Sequence, residues 1–124
     1  MNKITLATLD QATEQEVFDQ VAAHLLTQNK ESENDNGECL YRAENGAMCA
    51  AGCLMSDEEH KNQWEGMSWH DVSKNTSITK HESLITDLQK LHDAVDVEDW
   101  KKKLKVVTGN YRLNTAILDQ FKGE

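Results

Sequence analysis

Three residues of this chain combine nucleophilic and metal-binding potential at close spacing: Cys39, Cys49 and Cys53, gathered around an Asn45-Gly46 pair. A thiolate can ligate a metal or attack an electrophile, so any chemistry would be built here. Cys49 and Cys53 are four apart and would share one face of a helix. Cys39 could join them across the Asn-Gly turn, with His60 or His70 as a fourth ligand. Structural zinc takes four Cys/His ligands, usually as paired Cys-x2-4-Cys knuckles. Only one such pair is present, so the thiols read as small buried apolar groups, and neither metal nor another cofactor is expected. A cysteine nucleophile needs a base within hydrogen-bond reach and a lowered pKa. Cys49 lies where a helix could begin, yet the spacing selects none of the five histidines.

A second set of polar residues lies on the most regular helical pattern. Gln89 precedes His92 and Asp93 by one turn, so these side chains could face a shared pocket, although a histidine on an apolar stripe is more often a hydrogen-bonded core residue. Asp57-Glu58-Glu59 sits at a predicted helix start, where carboxylates complement the helix dipole. Trp64, Trp69 and Trp100 can anchor a core or an interface; with two Phe and two Tyr in the chain, at least two of them are needed inside. Lys101, Lys102, Lys103 and Lys105 follow Asp96, Glu98 and Asp99, a charge order that favours a solvated helix face. No Gly-x4-Gly-Lys-Ser/Thr or Gly-x-Gly-x-x-Gly phosphate loop is present.

The elements that must position these residues are mainly helical. Thr13-x-x-Glu16 is a capping box before Val17, Val21 and Leu25, which predicts a helix of about four turns ending near Asn29. Ile4 to Thr8 is a candidate strand. Residues 30–38 have no apolar member and predict an exposed, mobile acidic loop. Cys39 to Ala43 alternates as a short strand would. Asn45-Gly46 suits a tight hairpin turn, and Ala47 to Met55 follows as a strand and then a helix. Ser56-x-x-Glu59 and Ser68-x-x-Asp71 cap short helices. Leu84, Ile85, Leu88, Leu91, His92 and Val95 form the clearest stripe. A further helix runs from an Asp96 cap to a break at Gly109-Asn110. Leu113, Ile117, Leu118 and Phe121 form a last stripe, able to pack internally or on a second copy. The expected fold is α+β, mainly α: one domain over 1–124 with a short β-hairpin packed on several helices.

Composition narrows the partners. The net charge is −9, and residues 1–100 hold 7 basic against 20 acidic side chains. Nucleic-acid affinity is dominated by phosphate neutralisation, so direct binding is not expected. A basic protein surface is the natural counterpart of so acidic a body. No apolar run reaches the roughly 20 residues of a membrane span, the N-terminus has no secretory h-region, and an odd cysteine count suits a reducing cytoplasm.

The pattern Cys39-x-Tyr41-Arg42-x2-Asn45-Gly46-x2-Cys49-Ala50-x-Gly52-Cys53-Leu54 is followed by Asp57-x-Glu59 and by Glu65-Gly66-x2-Trp69. With Leu84-Ile85-x-Asp87-Leu88-Gln89-x2-His92-Asp93, Trp100 and the helix around Glu14–Val21, it resembles small uncharacterised proteins of phages and prophages over residues 14–100. The resemblance implies a phage or mobile-element context, hence the cytoplasm of an infected or lysogenic bacterium. It carries no activity to transfer.

Two functional expectations follow. The leading one is a non-enzymatic accessory protein that binds and inhibits a host protein, using Glu31, Glu33, Asp35, Asp57, Glu58 and Glu59. The alternative is a small-molecule or nucleotide binder, or a hydrolase. Its pocket would lie between the Cys49–Cys53 segment and the Gln89/His92/Asp93 helix, with Tyr41 and Arg42 contributing.

Overall fold

A computed structural model describes residues 3–121. Thr13 opens α1 (Glu14–Gln28) with the reciprocal hydrogen bonds of a capping box: the Glu16 amide donates to Thr13 Oγ1 at 3.1 Å, and the Thr13 amide donates to Glu16 Oε1 at 2.8 Å. Asn29 ends it in the left-handed conformation, which asparagine tolerates better than most residues. Ser68 caps α2 (Trp69–Thr76), accepting from the Asp71 amide. The stripe at Leu84, Ile85, Leu88, Leu91 and His92 lies inward on α3 (Glu82–Ala94). A 3-10 turn at Val97–Asp99 leads into α4 (Trp100–Tyr111), which runs through Gly109-Asn110 rather than breaking there.

α3 touches α1, α2 and α4, and its Leu84, Ile85 and Leu88 meet Phe18 and Leu25 of α1, Val72 of α2 and Leu104 of α4 in one buried cluster. Trp64, Trp69 and Trp100 are all buried, so none of the tryptophans offers a surface anchor. The last stripe folds back on the body: Leu118 is buried, and Leu113 and Ile117 pack against the core.

The expected β-hairpin and the α+β class are not found. Among the described residues there is no β-strand, only isolated bridges pairing Glu33 with Cys39 and Arg42 with Met48. The chain does reverse at Asn45-Gly46, where Gly46 has φ 90° and the Ala43 amide donates to Ala47 O. The segments on either side are extended but unladdered, and Ile4 to Thr8 forms turns instead of a strand. Ala47 to Met55 contains only a 3-10 turn at Gly52–Leu54, and the helix expected after Asp57 is reduced to a 3-10 turn at Asn62–Trp64.

The backbone groups that a ladder would have used are taken by side chains. A primary amide presents the same donor and acceptor as a peptide unit, so a glutamine can stand in for one rung. Gln20 does this for Ile4 (2.7 and 2.9 Å), Gln28 for Met48 (2.9 and 3.0 Å) and Gln15 for Asn114 (2.8 and 3.3 Å). Carboxylates serve the same end. Glu65 accepts from the amides of Tyr41 and Arg42, and Glu59 accepts from those of Leu6, Ala7 and Ser56.

Glu59 therefore makes acid stability testable. Burial pushes its carboxyl up, but the amides of Ser56, Leu6 and Ala7 outweigh that and hold it below the usual value. A carboxyl depressed on folding stabilises above its unfolded pKa, about 4.3, and that stability is lost as pH falls through the folded value. The gap in melting temperature between wild type and Glu59→Gln should be widest above about pH 5 and close towards about pH 3. A gap that is constant with pH would remove the Glu59 clamp as its cause.

Candidate functional site

The turn at residues 32–40 is tied by its own hydrogen bonds. The Leu40 amide donates to Ser32 O at 2.9 Å, and Asn34 Oδ1 accepts from the amides of Asn36 and Glu38. One of the long-range contacts that fasten this turn to α3 is at Ser32, whose buried amide donates to His92 Nε2 at 3.0 Å. Because Nε2 accepts, the neutral ring carries its proton on Nδ1. Nδ1 in turn donates to Asp93 Oδ1 at 2.8 Å. The ring is 1% exposed and lies against Trp100, with ring centroids 5.5 Å apart.

Gln89 completes the arrangement. Its Oε1 accepts from the Ala51 amide at 3.0 Å, while its Nε2 donates to Cys39 Sγ at 3.0 Å and to Asp93 Oδ1 at 3.2 Å. One glutamine thus joins the Cys39 segment, the Cys49–Cys53 segment and α3. The donor atoms of Cys39, His92 and Asp93 lie within 4.8 Å of one another. A cavity of about 190 Å³ opens beside them, walled by Glu31, Ser32, Glu33 and Gly37.

The electrostatics are those of a crowded anionic rim. Burial, followed by the Glu33 charge, raises the Glu31 pKa, with Asp96 and Asp93 adding to the effect. Burial also opposes ionisation of Asp93, but hydrogen bonds from His92, Cys39 and Gln89 prevail and hold it low. Cys39 is pushed far up, by its hydrogen bond to Cys49 and then by burial, so it stays a thiol. Burial disfavours a charged His92, but the hydrogen bonds to Asp93 and Cys39 prevail and raise its pKa to about 9. That pull meets a geometric block: a second proton would enter at Nε2, into which the Ser32 N–H already points. The geometry is that of the neutral ring.

These protonation states limit the chemistry. A metal on Nδ1 needs that nitrogen deprotonated, which moves the proton to Nε2 against a second donor. Cys39, His92 and Asp93 therefore form a hydrogen-bonded relay rather than a ligand set. General-base activation of Cys39 is opposed in the same way, because neither ring nitrogen is a free acceptor.

The cysteines expected to cluster do so only in part. Cys49 and Cys53 are buried, and burial pushes Cys53 up to about 12 while its thiol donates to Ala50 O. His60 and His70, the imagined fourth ligands, sit elsewhere, against Glu65 and Glu82. Of the alternative pocket residues, Gln89, His92 and Asp93 do meet the 39–53 segment, with Gln89 bonded to the Ala51 amide and to Cys39 Sγ, and Cys49, Ala50, Ala51 and Gly52 are buried. Tyr41 is buried, its hydroxyl donating to Met67 O, and Arg42 reaches Asp57 and the Met55 carbonyl.

The six acidic candidates divide. Glu31 and Glu33 flank the cavity; Asp35 and Glu58 are exposed; Asp57 pairs with Arg42; Glu59 clamps the N-terminal segment. Ser32 and the Cys39–His92 contact were not singled out by sequence. A lone serine in an acidic stretch carries no periodic signal, and His92 lies 60 positions beyond Ser32. A second concavity of about 1000 Å³ runs along α1 past Lys3, Gln20, His24, Gln28 and Lys30, also unforeseen. Gln20, His24 and Gln28 there are already bonded to backbone groups.

No family model matches the chain, and neither does any curated protein or solved structure. No helix among the described residues is long and apolar enough to cross a membrane.

Proposed function

We propose that this protein is a non-enzymatic binding protein whose acidic face, centred on Glu31 and Glu33, engages a basic surface on a partner protein. One observation carries this: the carboxylates of Glu31, Glu33 and Asp93 line one small cavity, and among the described residues no Lys or Arg lines it with them. Like charges held close together cost free energy that a cationic partner relieves. In the phage-type setting that the sequence resembles, the partner is a host cytoplasmic protein, and covering its basic surface inhibits it.

Neutralising isosteres provide the test. Glu31→Gln, Glu33→Gln and Asp35→Asn combined leave the Glu59 and Arg42–Asp57 contacts untouched. The triple variant should weaken capture of a stoichiometric partner from bacterial lysate by about tenfold at low salt. Wild-type capture should fade across a salt series. Equal capture by both proteins at every salt concentration would overturn the proposal.

The α1 concavity supports a second reading, a small-molecule binder, because its volume lies at the top of the usual ligand-pocket range of about 300–1000 Å³. A ligand screen by thermal shift separates the two: a hit unaffected by the triple neutralisation favours the groove.

A further inference from the structure

We infer that Asn36-Gly37 is a self-modifying site, whose asparagine converts to aspartate and isoaspartate through a cyclic imide, and that the fold restrains the same reaction at Asn45-Gly46. This inference stands apart from the acidic-face proposal and from the α1 concavity.

The chemistry needs only the chain and water. The Gly37 backbone nitrogen attacks Cγ of Asn36 and gives up its proton, and the side-chain amide nitrogen leaves as ammonia. The product is a cyclic succinimide. Water then opens the ring at one of its two carbonyls. One opening gives aspartate with the backbone intact; the other gives isoaspartate, in which the chain runs through Cβ and Cγ of the former side chain. A glycine on the C-terminal side favours the attack, because no Cβ shields its nitrogen or limits its dihedrals.

The chain holds this dipeptide at residues 36–37 and again at 45–46, and the two copies are alike in most respects. All four residues are exposed, and both glycines take positive φ, 81° at Gly37 and 90° at Gly46. Each glycine amide donates at 3.0 Å to the carbonyl three residues before it, Asn34 O or Ala43 O. A Cβ built on either glycine would meet nothing within 4 Å, so both turns have room for a ring. Exposure, nucleophile and space do not separate them.

The asparagine side chains do. Asn45 Oδ1 accepts from the buried Ala47 amide at 3.0 Å. Ala47 is itself fixed, since its carbonyl takes the Ala43 amide at 2.9 Å and Ser32 Oγ at 3.1 Å. Turning Cγ of Asn45 onto the Gly46 nitrogen gives up a bond to an anchored group. Among the described residues the Asn36 side chain makes no hydrogen bond; only its backbone amide is engaged, donating to Asn34 Oδ1 at 2.9 Å. Its rotation towards the Gly37 nitrogen breaks nothing.

Conversion at Asn36 changes the surface. Either product brings a carboxylate into a turn that already carries Glu33, Asp35 and Glu38. Isoaspartate also lengthens the backbone inside the loop that the Asn34 amide closes on Glu38 O at 2.9 Å.

The test is to age the full chain in mildly alkaline buffer and follow both sites by peptide mapping and mass spectrometry, with isoaspartate counted by its enzymatic carboxyl methylation. In the folded protein Asn36 should convert about fivefold faster than Asn45, the ratio that one hydrogen bond supplies. In urea the two rates should converge, because each asparagine precedes glycine. Asn36→Gln should remove the fast component, since the longer side chain must close a larger, slower-forming ring. Conversion of Asn45 as fast as that of Asn36 in the folded protein would overturn the inference. So would a ratio that persists in urea, or an Asn36 rate no greater than that of Asn110, which precedes Tyr111.

Discussion

Gly52→Ala should destabilise the protein by about 3–4 kcal/mol, lowering its melting temperature by about 10–15 °C. A Cβ at this position would lie 2.1 Å from the Tyr41 carbonyl oxygen, 3.0 Å from its carbon and 3.2 Å from its Cα. All three atoms are backbone, so no flexible side chain can swing aside. The obstructing strand of chain is itself held: the Tyr41 amide donates to Glu65 at 2.8 Å and the Tyr41 hydroxyl to Met67 O at 2.7 Å. Relief would require pulling the 39–43 segment from the 49–54 segment, and with it the Cys39 wall of the cavity. Gly109→Ala is the matched control, since nothing lies within 4 Å of a Cβ on that helical glycine. It should be neutral or stabilising by up to about 1 kcal/mol. Urea denaturation of both variants settles the point, and equal stability would mean that the close approach is not what Gly52 provides.

Glu65→Ala should cost about 3 kcal/mol, because one carboxylate satisfies three donors at once. It accepts from the amides of Tyr41 and Arg42 at 2.8 and 3.2 Å, and it contacts His60 Nε2 at 2.9 Å. An unsatisfied buried donor costs about 1–3 kcal/mol, and part of that is recovered here because Arg42 is half-buried and water can reach it. Glu65→Gln keeps one acceptor oxygen but turns an amide group towards a donor, so about half the loss is expected. Hydrogen exchange supplies the local signature: the Tyr41 and Arg42 amides should lose protection in Glu65→Ala before the α1 and α3 amides do. Unchanged protection at those two positions would show that the 39–43 segment is held by other contacts.

Both predictions concern a part of the fold that sequence patterning described wrongly. Alternation over Cys39–Ala43 and the Asn45-Gly46 pair together predicted a β-hairpin. The turn forms because Asn and Gly meet a local need, positive φ at Gly46. Strands did not follow, because alternation says which way side chains face and not which groups accept the backbone hydrogen bonds. Gln28, 20 positions before Met48, took the rung that a partner strand would have supplied. Glu65 took those of Tyr41 and Arg42 from 24 and 23 positions away. The Ser56–Glu59 pair shows the same limit on a smaller scale. Its reciprocal hydrogen bonds form as a cap would make them, yet the carboxylate also reaches Leu6 and Ala7, and the residues after it turn rather than coil.

Of the candidate site, Glu31, Glu33, Gln89, His92 and Asp93 could be named from residue type and helical spacing. Their convergence could not, because Cys39 weighed equally with Cys49 and Cys53, and His92 equally with four other histidines. The α1 concavity had no sequence signature at all, being lined mainly by polar residues of ordinary helix spacing and by turns from remote parts of the chain.

What the chain determined by itself is what depends on neighbours within a turn or two. α1 and its capping box, the Ser68 cap of α2, the inward stripe of α3 and the acidic balance all follow from i to i+4 relations and composition. What only the tertiary structure decided is where backbone amides and ring nitrogens find their partners. The Ser32 amide on His92 Nε2, across 60 positions, sets the tautomer and so decides between a metal ligand and a hydrogen-bond acceptor. Hydrogen bonds are directional and short, and a linear pattern records neither direction nor distance between residues that meet only when the helices pack.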